Sequence, residues 1–275
     1  MNISQVYGED KSLLIENFLK NGFLILKSAE LLNLKNVLHK EMSELNGILS
    51  ERLELDLQKD VLNDLPFITQ LEELYKREKD HQATRAMYEL YPSLPSVNGL
   101  LNQHFFLNAA KAVGIDLPIA STLPIVRVDR PNQKRFLTPI HQDSWFSLLS
   151  KKSVTFWFMV TQHQKSMGPL DVIPGSHKLG TLPVRPFNSQ NPFTTQKEFK
   201  DEEFTSVFLD EDEALLFDQN LVHKSSTNQS QAPRLSIQIR YSDAFTLNSM
   251  TSSYVVKNTP TVIALQEKLL AKGEN

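Results

Sequence analysis

Arg234-Leu235-Ser236-Ile237-Gln238-Ile239-Arg240-Tyr241 alternates without a break between polar and apolar side chains. A strand turns successive side chains to opposite faces, so Arg234, Ser236, Gln238 and Arg240 share one face and Leu235, Ile237, Ile239 and Tyr241 the other. The segment reads as a strand with its apolar face on a core; its polar face either lines a site or lies half-exposed in water. Similar short runs rich in Val, Ile, Phe and Thr recur past Ser121, at 124–129, 154–161, 170–174, 204–209 and 214–218, separated by Pro, Gly, Asn and Asp. That pattern predicts a β-sandwich or barrel.

Upstream the pattern changes. Apolar residues at spacings of three and four through 31–49, 68–90 and 100–113 predict helices, with an early strand at 22–27. No internal repeat, low-complexity tract or linker separates the halves. The expectation is a single domain over 1–275. A mostly helical part (1–120) packs on a β-core (121–250), followed by a tail or helix (251–275). The fold class is therefore mainly β with an α-helical layer. The irregular stretch 178–203, with Pro183, Pro186 and Pro192, is a candidate lid or a plain surface insertion.

Composition narrows the class further. At 275 residues, with 40% hydrophobic and 22% charged residues, the chain has the make-up of an ordinary globular protein. It has no cysteine, which excludes disulfides, thiolate metal sites and a cysteine nucleophile and leaves histidine and carboxylate as metal ligands. No secretory segment and no apolar run of about 18 residues is visible, so a cytoplasmic protein without a membrane span is expected. A net charge of -3 argues against general nucleic-acid binding. Charge is uneven, however: from Arg127 to Arg185 nine basic residues face three acidic ones, a local balance of +6. This is either a solvated surface or a field that draws an anionic substrate.

His141-Gln142-Asp143 places a histidine and an aspartate two residues apart, on one side of the chain if the segment is a strand. His223 follows the apolar run 214–217, and Arg234 stands eleven residues after it. Two imidazoles and a carboxylate on one side of iron(II) leave coordination positions open, which oxygen chemistry requires. A guanidinium such as Arg234 offers a planar fork that matches a carboxylate.

Together with Gly168-Pro169-Leu170-Asp171-Val172-Ile173-Pro174-Gly175-Ser176-His177-Lys178, these residues resemble the phytanoyl-CoA dioxygenase family of Fe(II)/2-oxoglutarate oxygenases. The resemblance extends over 121–243 and more weakly over the N-terminal helices. It implies a double-stranded β-helix (jelly roll, cupin-like) core, iron held by His141, Asp143 and His223, and the distal carboxylate of 2-oxoglutarate on Arg234. Ser225 matches a hydroxyl that contacts the same carboxylate, though it also suits a turn in 224–228. Trp157 corresponds to a tryptophan lining the cosubstrate pocket, or else packs in the core. Arg127, on one strand face with Asp129, reaches cosubstrate or substrate, or forms a surface salt bridge.

His177 belongs to a structural turn and is excluded from the metal shell. His39, His81, His104 and His163 have no partner at a telling spacing. Two departures from the family pattern are the acidic turn 210–213 and Met167 before Gly168; neither removes a catalytic group. The presence of Asp143, where halogenating relatives carry a small residue, favours hydroxylation. The activity implied is hydroxylation of an unactivated C–H bond in a small or conjugated, anionic metabolite. It consumes O2 and releases succinate and CO2, with ascorbate a candidate reductant. Desaturation, epimerisation or cyclisation by the same cofactors, and a non-catalytic jelly-roll binding protein, are the alternatives.

Overall fold

The computed structural model describes residues 11–133, 137–145, 150–161, 165–186 and 193–246, so the expected tail at 251–275 and His163 lie outside the described residues. In chain order it runs α1 (Lys11–Asn21), β1 (Phe23–Lys27), α2 (Ala29–Arg52), α3 (Lys59–Asn63), α4 (Phe67–Arg77), α5 (Gln82–Leu90), α6 (Pro95–Gly99) and α7 (His104–Ala112). There follow β2 (Pro118–Ala120), β3 (Ile125–Asp129), β4 (Ser153–Met159), β5 (Leu170–Val172), β6 (Val184–Pro186), β7 (Phe193–Thr195), β8 (Thr205–Val207), β9 (Glu213–Asp218), β10 (His223–Ser225) and β11 (Arg234–Asp243). No helix among the described residues is long and apolar enough to cross a membrane.

The strand quoted at the outset, β11, is the middle of a large antiparallel sheet. It pairs with β4 along one edge and with β3 and β2 along the other; β9 follows β4, and β1 closes the far edge. A smaller sheet runs β10-β5-β8, and β6 with β7 forms a separate hairpin. His141 joins the smaller sheet through an isolated bridge to His223 in β10.

Period-two alternation divides the interior into two cores. Leu235, Ile237, Ile239 and Tyr241 of β11, with Val154, Phe156 and Phe158 of β4, face the helical layer and pack with Leu31, Leu38, Met42 and Phe106. Phe106 of α7 lies edge-on to Phe156 at 5.1 Å between ring centres and stacks on Phe158 at 5.7 Å. The opposite face puts Trp157, Met159, Leu215 and Phe217 against Met167, Leu170, Val172 and Val207, from the smaller sheet and its flanking loop. Both faces of β11 are thus covered and all ten of its residues are buried. The polar face does not lie half-exposed in water; it is enclosed between two sheets.

The helical layer shows what the sequence pattern missed. Ser28 accepts the Glu30 backbone N–H at 3.1 Å and starts α2, whose buried Leu31, Leu38, Met42 and Leu49 keep the spacing expected of a core-facing stripe. The periodic stretch 68–90 is not one helix: it breaks between α4 and α5, where Asp80 and His81 adopt φ values of 48° and 63°. Glu78 explains the break, since its carboxylate accepts from the Thr84 backbone and hydroxyl and pairs with the buried Arg130. Arg130 is therefore matched by an acid from α4's end, and part of the local positive balance is neutralised inside the fold.

Candidate active site

His141 and His223 exchange backbone hydrogen bonds in both directions, at 2.9 and 3.0 Å. Such a pair sets two side chains next to each other on one face, and the imidazole centres stand 4.0 Å apart. The expectation that His141 and Asp143 converge because both sit on a strand is corrected: beyond the single bridge at His141 the chain enters a 3-10 turn at Asp143–Trp145. The turn, not strand alternation, brings the Asp143 carboxylate back. Its Oδ1 lies 3.7 Å from His141 Nε2 and 3.8 Å from His223 Nε2, and one ligand atom from each residue falls within 4.8 Å of the others.

The orientation of each group is fixed from behind. His141 Nδ1 donates to the Pro139 carbonyl at 2.8 Å and His223 Nδ1 to the Leu221 carbonyl at 2.9 Å; because a carbonyl only accepts, both Nδ1 atoms carry the proton. Each Nε2 then offers a lone pair to the same point, as in histidine metal sites whose outer nitrogen is anchored. His223 Nε2 is buried without any hydrogen-bond partner. Burial, with His223 alongside, pushes His141 down to about 3, and burial lowers His223 as well, so both rings are neutral at physiological pH. For Asp143 burial opposes ionisation, but the Arg240 guanidinium and the two histidines overcome it and bring the carboxyl to about 2. Two neutral nitrogens and one carboxylate, pre-set in a buried cluster, fit a divalent transition metal with positions left open.

Asp143 is itself held by three donors. Thr155 Oγ1 donates to Oδ2 at 2.6 Å, Arg240 Nε to Oδ2 at 3.2 Å and Arg240 Nη2 to Oδ1 at 2.7 Å. Arg240 Nη2 also donates to Gln238 Oε1 at 3.0 Å. Thr155 and Arg240 face each other across β4 and β11. Neither was among the candidate residues. Alternation along β11 puts Arg240 on the polar face, but its partner lies 97 positions away.

Arg234 stands six residues before Arg240 on the same face. Its Nε and Nη2 donate to Asp129 Oδ2 at 3.2 and 2.6 Å, and Nη1 donates to the carbonyls of Met167 and Gly168 at 3.2 and 2.6 Å. Arg127 shares the same carboxylate, donating to Asp129 Oδ1 at 3.0 Å, and reaches Thr138 Oγ1 at 2.6 Å. The Arg127–Asp129 pair is thus enclosed rather than a surface salt bridge. Ser225 lies two residues after His223 on β10 and so shares its face. Trp157, opposite Gln238, is buried in the inner core between the sheets. One further hydroxyl stands out: Ser236 Oγ, between Arg234 and Gln238 on the inner face, is buried without a partner.

The surrounding segments brace this cluster. Gln142 points away from the site, donating to Gly180 and Asn220 carbonyls at 2.9 and 2.6 Å and accepting from the Leu182 N–H at 2.7 Å. The β6–β7 hairpin is pinned beside His141 by Thr194 Oγ1 on the Ile140 carbonyl at 2.8 Å. Residues 187–192 of the candidate lid lie outside the described residues. In the 174–177 turn Ser176 Oγ accepts the Val222 N–H at 2.8 Å, fixing the residue before His223. His177 turns outward, with Nε2 3.1 Å from the Leu19 carbonyl. His39 sits against the Val160 carbonyl at 2.7 Å and His81 against Arg130, both remote from the cluster.

A family model described as phytanoyl-CoA dioxygenase (PhyH) matches residues 19–236. Among solved structures, EvdO2 from Micromonospora carbonacea var. aurantiaca overlaps with a TM-score of 0.55 at 15% identity, covering 89% of this chain and 95% of its own. The non-heme monooxygenase ThoJ gives 0.53 at 15% identity, with 83% and 76% covered. The epimerase SnoN, solved with Fe3+, alpha ketoglutarate and nogalamycin RO, gives 0.51 at 16% identity, with 85% and 84% covered. At such identities the likeness is one of fold. None of the curated proteins matches the sequence. The family model spans most of the chain, and the chain belongs to the phytanoyl-CoA dioxygenase (PhyH) family.

Proposed function

We propose that this protein is an Fe(II)/2-oxoglutarate-dependent dioxygenase that hydroxylates an unactivated C–H bond of a small metabolite, with His141, Asp143 and His223 holding the iron. The observation that carries the reading is the buried convergence of two anchored Nε2 atoms on one aspartate oxygen, with His223 Nε2 lacking any other partner. The family supports it, as does the presence of iron and alpha ketoglutarate in SnoN, which shares the fold. Strand order supports a double-stranded β-helix core: β3-β11-β4-β9 lie within one sheet and His141-β10-β5-β8 in the other.

Bound iron with 2-oxoglutarate would supply oxygen activation, converting the cosubstrate to succinate and CO2 while one oxygen atom enters the substrate C–H bond. The chain's own residues do the rest. His141 and His223 present neutral nitrogens without a proton to lose, and Asp143 is already ionised. Arg234 and Ser225 are assigned to the distal carboxylate of the cosubstrate, with Ser236 Oγ available as a further donor. Arg127 and Arg234 both donate to the Asp129 carboxylate, which holds the two guanidiniums together. Trp157, Leu215 and Phe217 make the wall apolar and exclude water. Within the positive stretch Lys152 pairs with Asp116 and Asp243, which leaves Lys151, Lys165 and Lys178 to favour an anionic substrate.

Anaerobic addition of Fe(II) and 2-oxoglutarate should give the visible charge-transfer absorption of the chelate, and admission of oxygen should give succinate. Stoichiometric zinc with hydrolytic activity, and no such band, would overturn the reading.

A further inference from the structure

Four polar side chains follow one another along the inner face of β11 beside the site, and three of them already have tasks. Arg234 and Ser236 are assigned to the distal carboxylate of the cosubstrate, and Arg240 holds Asp143. Gln238 remains. Arg240 Nη2 donates to Gln238 Oε1 at 3.0 Å and to Asp143 Oδ1 at 2.7 Å. One guanidinium nitrogen therefore separates the amide from the oxygen that faces both histidine Nε2 atoms, at 3.7 and 3.8 Å. A guanidinium has no acceptor, so the atom turned to it is the amide oxygen, and the Nε2 end is left for another partner. Among the described residues Nε2 donates to nothing. Its neighbours across the sheet are Ile125 on β3 and Trp157 on β4, and neither side chain carries an acceptor atom. Gln238 is also the most exposed of the four, at 9% against 3% for Arg234, 1% for Ser236 and 6% for Arg240. Because β11 is covered on both faces, that exposure opens onto the space between the sheets.

We propose that Gln238 determines specificity: its Nε2–H bonds receive an acceptor on the molecule held against the open side of the metal position. The substrate is then an oxygenated metabolite, with a hydroxyl, carbonyl or carboxylate oxygen beside the carbon that reacts, and not a bare hydrocarbon chain. An enclosed donor is costly to leave unmet. A site built on such a donor rejects an analogue that lacks the acceptor far more strongly than one that carries an extra methylene. Arg240 makes the choice firm, because with Oε1 occupied the amide cannot turn over to offer its oxygen instead. At this point the chamber selects acceptors and turns away donors such as an ammonium group.

This inference rests on the cofactor assignment above, and the experiment separates the two. Nitric oxide is the probe: added without oxygen to the full-length protein loaded with Fe(II) and 2-oxoglutarate, it takes the open position as a small acceptor. The N–O stretch is read by infrared spectroscopy in the wild type, in Gln238→Met, which keeps the length but has no N–H, and in Gln238→His, which keeps a donor. A hydrogen bond to bound nitric oxide lowers that stretch. It should therefore rise in Gln238→Met and return towards the wild-type value in Gln238→His. The charge-transfer absorption of the Fe(II)/2-oxoglutarate chelate should be the same in all three, because the amide serves the guest and not the cosubstrate.

An N–O stretch unchanged in Gln238→Met, or a charge-transfer band that moves in its place, would overturn the role of Gln238 while leaving the cofactor assignment intact. Failure of the wild type to form both the band and the nitric oxide adduct would overturn both. Should the variants not fold, electron–nuclear double resonance of the wild-type adduct decides alone: an exchangeable proton within hydrogen-bond reach of nitric oxide is required, and its absence sinks the inference.

Discussion

Asp129 shows how much a single carboxylate can settle. It is buried between Arg127 and Arg234; burial opposes its ionisation, and the two guanidiniums outweigh burial and hold it at about 2. The folded value is below the unfolded one, so the stabilisation is complete above about pH 4, is lost as pH falls towards 2, and amounts to about 2 kcal/mol. Urea midpoints across that window should fall for the wild type, whereas Asp129→Asn should be weaker at neutral pH and show a shallower fall, the remainder coming from Asp143. Arg234→Lys keeps the charge but gives up the planar fork. It should weaken 2-oxoglutarate by about tenfold or more while changing metal affinity by less than about threefold, read by equilibrium titration of each. Equal losses would show that Arg234 does not act on the cosubstrate. Ser236→Ala removes a buried hydroxyl with no partner, so stability should hold or rise by about 1 kcal/mol, while cosubstrate binding weakens.

Among the elements, the turn before β5 explains why one departure from the family pattern is harmless. The groups that reach Arg234 are the carbonyls of Met167 and Gly168, so the side chain at 167 is free to be apolar. Gly168 has no such latitude: its φ is 85°, and a Cβ there would lie 2.7 Å from the carbonyl oxygens of Ser226 and Thr227. Gly168→Ala should cost about 1–3 kcal/mol in chemical denaturation and loosen Arg234, raising the cosubstrate dissociation constant in step. How much of this the sequence displayed depends on the range of the forces. The alternation of β11 and the runs that became β3, β4, β5, β8 and β9 are local patterns and were legible. β2 and β10 are no shorter than β5 and β8, but they lie in no run of Val, Ile, Phe and Thr that marks them. The approach of Asp143 is set by a 3-10 turn that HxD spacing alone does not specify, and the Arg240–Asp143 and Arg234–Asp129 pairs follow from chain pairing across about 100 residues. The break after α4 was hidden because its cause, Arg130 on Glu78, is tertiary.

For the molecule as a whole, the large sheet is a partition with an apolar core on one side and a chemical chamber on the other. The two should respond separately to substitution. Phe106→Ala, in the helix-facing core, should destabilise the fold by about 3–5 kcal/mol in urea while leaving the Fe(II)/2-oxoglutarate absorption of the folded fraction unchanged. Loss of that band in a still-folded variant would mean that the two sides are not independent. The pairing of β1 with β9 joins Phe23 to Phe217, about 190 residues apart along the chain. At synthesis rates of about 5–20 residues per second, β1 waits roughly 10–40 s for its neighbour to emerge. β11 arrives later still and must slot between β4 and β3, which are already made. Since β11 delivers both Arg234 and Arg240, a nascent chain holds its histidines before it holds the cations that discipline them, and competence for chemistry is the last property the ribosome confers.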